Sequence, residues 1–372
     1  MKPPHPNRPD WVPDDAGAEF TTKVVPGTPA LIPDRRPVKR RKTDDTQELA
    51  TALRAGDRGA LARGITLIES RAVTHRAAAD LLLNLLTPHA GGAMRVGITG
   101  APGAGKSTFI DALGTQLCDA GHRVAVLSVD PSSPVTHGSI LGDKTRMENL
   151  SRQTGAFIRP SPSGCELGGV ARRTRESIVL CEAAGFDIVL VETVGVGQSE
   201  VLVRGMVDCF LVLLLAGAGD ELQGIKKGIL ELADILAVNK ADGDNKARAE
   251  VARREFSRAL HYLAAPEEAW QPQVLACSAV SGEGIGAVWA MVGQFFGKGR
   301  EAGTFAARRQ EQALAWLDAL VGEGLREAYE AQRGLAALRA ELEMQVGAGL
   351  LPAPVAARQL LTAAGFVPPK EP

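Results

Sequence analysis

The sequence lacks an excess of either charge and has no long apolar run. Its 42 Lys and Arg residues nearly balance 43 Asp and Glu residues, which leaves a formal net charge of -1. The chain as a whole therefore has no field that would attract nucleic acid or an anionic membrane surface. Its longest apolar run, around Phe210–Ala216, is much shorter than the roughly 20 residues of a membrane-spanning helix. We expect neither a nucleic-acid partner nor a membrane span.

Cysteine and histidine are also scarce. The five cysteines are odd in number and contain no C-x-x-C pair, which argues against a disulfide framework and a thiolate zinc site. No two of the six histidines lie three to five residues apart, which argues against a His-rich metal site. The N-terminal region has no apolar signal core and is too acidic for a typical transit peptide. These features predict a cytoplasmic protein.

Composition divides the chain into four predicted segments. Residues 1–45 hold nine of the 22 prolines and end in a basic run, which predicts a flexible tail, either simply solvated or used as an arm for docking or for nucleic acid. Residues 46–92 carry Leu and Ile at helical spacing and predict an N-terminal helical extension. Residues 93–297 form the predicted main domain, and residues 298–372 return to helical spacing. This last segment either packs against its own domain or pairs two chains, and we predict a homodimer.

The main segment alternates short runs of Val, Ile and Leu with longer amphipathic stretches. This pattern predicts an α/β fold with a doubly wound, mostly parallel sheet. Several runs are apolar on both faces, as expected for strands that are covered by helices on both sides. The predicted strands are Met94–Ile98, Arg123–Val129, Ala156–Arg159, Asp187–Glu192, Cys209–Leu215, Ile235–Asn239 and Val274–Ser278.

A phosphate-binding loop follows the first predicted strand. The sequence matches G-x-x-x-x-G-K-[ST] between a strand and a helix, the context that this mechanism requires. Its glycines allow backbone N–H groups to face phosphate oxygens at the positive end of the helix. We expect Lys106 to bridge the β and γ phosphates, Ser107 to ligate Mg²⁺ and Thr108 to reach the α-phosphate. The predicted nucleotide-binding residues here are Gly100, Ala101, Pro102, Gly103, Ala104, Gly105, Lys106, Ser107 and Thr108.

A base-recognition motif follows two later strands. Asn239, Lys240 and Asp242 form N-K-x-D, and the Asp242 carboxylate can accept both N1–H and the N2 amino group of guanine. Adenine lacks this donor pair and would leave the carboxylate unpaired. The next strand end supplies a backbone amide that can meet guanine O6, from the segment Ser278, Ala279 and Val280. The predicted ligands are therefore GTP and GDP.

Carboxylates at strand ends predict a magnesium site. Glu192 would hold Mg²⁺ through a water, and the Gly195 amide would sense the γ-phosphate. Asp130 and Asp143 add carboxylates that face the same cation or, alternatively, act as helix caps or solvated loop charges. Mg²⁺ prefers such oxygen ligands. The predicted metal residues are Ser107, Asp130, Asp143 and Glu192, and the predicted catalytic residues are Lys106 and these three carboxylates.

Taken together, these motifs resemble the MeaB/ArgK family of P-loop GTPases, which are related to the methylmalonic aciduria type A protein. The resemblance covers roughly residues 46–366. It is carried by the segments 100–108, 130–134, 138–147, 159–164, 192–200, 218–226 and 239–242. The segment 134–137, Pro-Val-Thr-His, departs from the more Ser/Gly-rich stretch expected there.

The resemblance implies a GTPase domain with an N-terminal helical extension and a C-terminal helical dimerisation arm. It also implies that GTP binding and slow hydrolysis gate adenosylcobalamin delivery to an acyl-CoA mutase, such as methylmalonyl-CoA mutase, and protect that mutase. Asp130 and Asp143 would lie in a first mobile loop, and Glu192 in a second. A third loop, 217–227, would contain Asp220 and Lys226, which would couple nucleotide state to the partner.

Intrinsic hydrolysis is predicted to be slow. The sequence has no obvious arginine finger and no glutamine directly after Gly195, while Gln198 lies three residues further on. A partner that supplies positioning or charge would then accelerate hydrolysis by a factor on the order of 10³ to 10⁵. We count Gly195, Gln198, Asp220 and Lys226 as predicted switch residues.

Two other functions share some of these features. A nickel-type metallochaperone GTPase would have a similar domain but clustered Cys or His residues, which are missing. A small-molecule kinase would use ATP, against which the N-K-x-D motif argues. Mutases for methylmalonyl, ethylmalonyl and branched hydroxyacyl substrates all remain candidate partners.

Overall fold

The computed structural model describes residues 46–129, 146–160, 167–193, 199–216, 227–263, 270–332 and 334–366. The predicted N-terminal tail lies outside these residues. The α-helices of the described ranges are α1 (Thr46–Arg54), α2 (Arg58–Glu69), α3 (Val73–Leu86), α4 (Lys106–Asp119), α5 (Glu148–Arg152), α6 (Leu167–Ala183), α7 (Ser199–Arg204), α8 (Lys227–Leu232), α9 (Lys246–Leu263), α10 (Ile285–Glu301), α11 (Thr304–Glu330), α12 (Leu335–Gly347) and α13 (Ala353–Ala363).

Within the described ranges, seven parallel strands form one sheet in the order β3-β2-β4-β1-β5-β6-β7. The strands are β1 (Met94–Gly100), β2 (Val124–Val129), β3 (Ala156–Arg159), β4 (Ile188–Thr193), β5 (Cys209–Leu215), β6 (Ile235–Asn239) and β7 (Gln273–Ala276). The predicted α/β fold class is confirmed. The seventh strand ends two residues before the predicted end, so Ser278 belongs to the loop that follows it.

The first strand lies at the centre of the sheet, where the order of the strands reverses. After β1 the chain forms β2, β3 and β4 on one side of this strand. It then crosses to the other side, where it forms β5, β6 and β7. Loops at the carboxyl ends of strands diverge at such a point and leave a crevice in which ligands bind. This topology places the phosphate-binding loop at the crevice.

Each face of the sheet has its own apolar core. One core contains Phe109 and Leu113 of α4 together with Val288 and Val292 of α10. The other contains residues of α6 and α9 and extends to the N-terminal helices. Since alternate residues of a strand point to opposite faces, both cores are built from the same uninterrupted apolar strands.

Helices α1, α2 and α3 pack outside α6 rather than directly on the sheet. Leu53, Leu61 and Ile65 are fully buried, as the helical spacing predicts. Leu81 and Leu82 both belong to this pattern, but Leu82 is buried and Leu81 is 43% exposed. The spacing of apolar residues identified the helices but not which of two adjacent leucines faces the core. The segment boundaries proposed from composition stay predictions.

Buried charged groups attach the beginning of helix α11 to the residues that precede β1 and β5. Arg309 makes two hydrogen bonds to the Asp208 carboxylate, at 2.7 and 2.6 Å, and donates to the Ala93 carbonyl at 2.8 Å. Asp208 is fully buried, so it requires this partner. Further along the helix the apolar stripe remains exposed; its residues Leu314, Leu317, Val321 and Leu325 are each more than half exposed.

Candidate functional site: a nucleotide pocket at the centre of the sheet

Two glycines of the phosphate-binding loop are required by close contacts. Gly100 has a φ of 153°, and a Cβ atom there would lie 2.3 Å from the carbonyl oxygen of Leu213. Gly105 has a φ of 86°, and a Cβ atom there would lie 2.7 Å from Nδ2 of Asn239. Any larger side chain would therefore displace the loop from β5 or from Asn239.

Lys106 begins α4 and is largely buried, with 9% of its surface exposed. Its Nζ atom donates hydrogen bonds to the carbonyls of Gly100 at 2.8 Å and Ala101 at 3.3 Å. Burial lowers the pKa of the Lys106 amine, while the carboxylates of Glu192 and Glu200 act in the opposite direction. The loop therefore wraps around the Lys106 ammonium group, which also lies close to the Glu192 and Glu200 carboxylates.

Ser107 and Glu192 meet next to Lys106. The Ser107 hydroxyl donates a hydrogen bond to Oε1 of Glu192 at 2.8 Å. Glu192 lies near the end of β4 and is 3% exposed. Beside it, the Thr193 hydroxyl donates to the hydroxyl of Thr99 at 2.7 Å, which ties β4 to β1. A hydroxyl and a carboxylate are thus held together at the first turn of α4, and both are oxygen donors that suit Mg²⁺.

Asn239 joins the phosphate-binding loop to the predicted base-binding loop. Its amide nitrogen donates to the Ala104 carbonyl at 2.8 Å, and its amide oxygen accepts from the Ala279 backbone N–H at 3.0 Å. Asn239 is 1% exposed. It therefore fixes the distance between the two loops, a role that its place in the motif did not reveal.

The remaining base-binding residues surround the end of β6. Lys240 is exposed and has a φ of 59°, a strained conformation for a residue other than glycine that is often found at functional sites. Asp242 is half-buried and extended, and its side chain does not cap the short 3₁₀ turn that follows. Ser278 is fully buried, and its hydroxyl accepts the N–H of Ser281 at 3.1 Å, whereas Val280 is 80% exposed.

The structure brings together part of the predicted site. The phosphate-binding loop, Glu192, Asn239 and Ala279 are linked by the hydrogen bonds described above. Six predicted residues lie outside the described part of the chain, namely Asp130, Asp143, Gly195, Gln198, Asp220 and Lys226.

One buried carboxylate near the site was not singled out from the sequence. Glu200 in the first turn of α7 is 3% exposed, and its charge acts on Lys106. Its position next to the predicted second loop, in the segment 192–200, was the available signal.

Across the described ranges, no group of three or more His, Cys, Asp or Glu residues is arranged to hold a metal ion. Nor does any helix there combine the length and the apolar character needed to cross a bilayer.

Known proteins resemble this chain in sequence and, for a solved structure, in fold. The family described as "Methylmalonyl Co-A mutase-associated GTPase MeaB" matches residues 61–333. A putative GTPase of Caulobacter vibrioides is 54% identical over 322 residues, covering 87% of this chain and 98% of that protein. The mitochondrial methylmalonic aciduria type A homolog of Mus musculus is 45% identical over 325 residues, covering 85% and 78%.

A solved structure titled "Crystal structure of LAO/AO transport system kinase" superposes with a TM-score of 0.70. It is 39% identical and covers 86% of this chain and 97% of its own chain. The match of the family model to most of the chain, together with relatives of this identity and coverage, establishes the family. The chain is a GTPase, binds GTP and GDP, and belongs to the methylmalonyl Co-A mutase-associated GTPase family, MeaB.

Proposed function

We propose that this GTPase is a chaperone of an adenosylcobalamin-dependent acyl-CoA mutase such as methylmalonyl-CoA mutase. In this role its nucleotide state gates loading of the cobalamin cofactor and protects the mutase. The observation that carries the proposal is the match to a family described as mutase-associated over residues 61–333. The similarity to a protein named as a methylmalonic aciduria type A homolog supports the same partner.

The nucleotide would be held by the loop at the beginning of α4. Backbone N–H groups there would face the phosphates, and the Lys106 amine, which lies at the same turn, would neutralise their charge. Asp242 would select guanine, next to the loops that Asn239 holds at a fixed distance. These residues bind and orient the nucleotide and stabilise charge in the transition state.

A magnesium ion fits the oxygen donors beside Lys106. Ser107 and Glu192, 2.8 Å apart, are the described residues that would hold it, directly and through water respectively. Asp130 and Asp143 are further proposed ligands. Once bound, Mg²⁺ would neutralise phosphate charge and favour in-line attack by water.

A partly buried ion pair joins the helix that follows the second predicted loop to the residues just after α8, the helix that follows the third. Arg204 at the end of α7 lies 3.2 Å from the carboxylate of Asp234, which lies between α8 and β6. Arg308 of α11 lies 3.9 Å from the same carboxylate. This connection supports a mechanism in which a conformational change in either loop is transmitted to the other loop and to α11. Hydrolysis would then alter the surface that the mutase recognises.

The mutase should accelerate hydrolysis. We expect phosphate release from GTP to rise on the order of 10³-fold when the cognate mutase is added, because the partner would supply positioning or charge in the transition state. The measurement is the steady-state rate with and without mutase. The Lys106→Ala variant with mutase controls for a contaminating GTPase. Equal rates with and without each candidate mutase would refute the chaperone proposal.

We also propose that the chain forms a homodimer through the apolar stripe of α11. Leu314, Leu317, Val321 and Leu325 recur at helical spacing and are 51–56% exposed. An exposed stripe of this kind is typical of a surface that another helix covers.

A charge in the middle of the stripe should prevent this association. We expect the double variant Leu317→Glu/Val321→Glu to sediment as a monomer at concentrations at which the wild type is a dimer, because burying carboxylates costs free energy. Ala315→Glu, at an exposed position away from the stripe, is the matched control and should remain dimeric. Sedimentation of the double variant as a dimer would place the interface elsewhere.

A further inference from the structure

Ser128 in β2 carries a buried hydroxyl that the fold does not use. Its side chain is 3% exposed, and its Oγ atom has no hydrogen-bond partner among the described residues. Because a buried hydroxyl without a partner costs free energy, such a group usually serves an ion, a water or a reaction.

The position of Ser128 relates it to the nucleotide site. Its Cα atom is the register partner of the Glu192 Cα atom in the pairing of β2 with β4. Two residues earlier, Val126 and Leu190 both belong to the core beneath α4. Since side chains alternate along a strand, Ser128 and Glu192 point to this same face, at the carboxyl ends of their strands.

Glu192 is the side chain that the Ser128 hydroxyl would serve. A carboxylate has about four lone-pair directions, and Oε1 of Glu192 already accepts the Ser107 hydroxyl at 2.8 Å. Ser107 contacts Glu192 from α4, which packs over this face of the sheet, whereas Ser128 lies on β2, the strand beside β4. A hydroxyl there is placed to restrain the carboxylate laterally.

We propose that Ser128 is a positioning residue of the magnesium site. When Mg²⁺ is bound, its hydroxyl donates to the Glu192 carboxylate or to a water that this carboxylate holds. The inference rests on the proposed function, because the magnesium-bound nucleotide state is the one that requires an oriented Glu192. Partners that orient metal-binding carboxylates typically contribute 10- to 100-fold to metal affinity.

The test compares Ser128→Ala with Ser177→Ala. Ser177 is equally buried, at 3% exposure, but lies on α6, whose core residues belong to the opposite face of the sheet. Each protein is loaded with a fluorescent GDP analogue, and its release rate is measured as Mg²⁺ is titrated. We expect the Mg²⁺ concentration for half-maximal retention to rise about tenfold in Ser128→Ala and to stay unchanged in Ser177→Ala.

Two further measurements separate positioning from a structural role. With excess EDTA, Ser128→Ala and the wild type should release the analogue at the same rate. The melting temperature of nucleotide-free Ser128→Ala should not fall, because the variant removes an unpartnered hydroxyl. Ser128→Thr keeps a hydroxyl on a side chain that suits a strand, and it should restore most of the magnesium affinity.

The proposal and the function on which it rests fail in different ways. An unchanged Mg²⁺ midpoint in Ser128→Ala, beside a raised midpoint in Glu192→Gln, overturns the role of Ser128 and leaves the magnesium site in place. A lowered melting temperature with an unchanged midpoint makes Ser128 structural and also overturns it. If wild-type retention of the GDP analogue is independent of Mg²⁺, the proposed magnesium site itself is wrong.

Discussion

Replacing Lys106 with alanine is expected to lower kcat/KM for GTP on the order of 10³-fold. The amine is a buried cation at the first turn of α4, so little water would screen its proposed interaction with a phosphate that gains charge in the transition state. Loss of one such preorganised donor commonly costs 10² to 10³ in rate. The measurement is phosphate release under steady-state and single-turnover conditions, which separates binding from chemistry.

The control for Lys106→Ala is another lysine on a neighbouring helix. Lys298 of α10 is exposed and lies 5.4 Å from the ring centroid of Trp270, so its loss should leave the rate unchanged. The melting temperature of Lys106→Ala must also be compared with that of the wild type, because the amine donates to two loop carbonyls. A stably folded Lys106→Ala variant that hydrolyses GTP at the wild-type rate would exclude this lysine from catalysis.

Asp242→Asn is expected to weaken GTP binding about 10³-fold and to strengthen binding of xanthosine triphosphate. In the proposed complex the carboxylate would accept two hydrogens from guanine, whereas an amide would present a donor to one of them. Xanthine has a carbonyl oxygen at C2 instead of the amino group, so it suits the amide. Sites that hydrogen-bond a defined donor discriminate by factors this large, because the mismatched pair leaves a polar group unsatisfied.

Asp244→Asn is a closely matched control for this change. Asp244 lies two residues further on, in the 3₁₀ turn Gly243–Asn245, and it is exposed. We expect its variant to keep the wild-type preference for GTP, as measured by competition of nucleotides against a fluorescent GDP analogue. An unchanged preference in Asp242→Asn would mean that guanine selection lies elsewhere.

Much of the fold could be predicted from the sequence because its patterns are local. Strands such as Cys209–Leu215 and Ile235–Asn239 have the predicted bounds, since a buried parallel strand is a continuous apolar run. The predicted end of β7 lies two residues too late, because Cys277 continues the apolar run and both Cys277 and Ser278 are buried in the loop that follows. Similarly, helical spacing predicted α11 but did not distinguish a stripe that packs internally from one that stays exposed.

The connections within the site could not be predicted, because they join residues that are far apart in the chain. The hydrogen bonds from Ser107 to Glu192 and from Asn239 to Ala104 span 85 and 135 residues. A motif identifies each residue type, but the order of strands in the sheet decides which side chains meet. The unpartnered hydroxyl of Ser128 is also visible only in three dimensions, since nothing distinguishes one serine in a strand from another.

The central claim is that the pocket at the beginning of α4 binds a triphosphate and selects guanine. Calorimetric titration of the unmodified protein with GTP and with ATP, each in the presence of Mg²⁺, tests it most directly. We predict that GTP binds on the order of 10³-fold more tightly than ATP. Equal affinities would contradict guanine selection and favour a kinase that uses ATP.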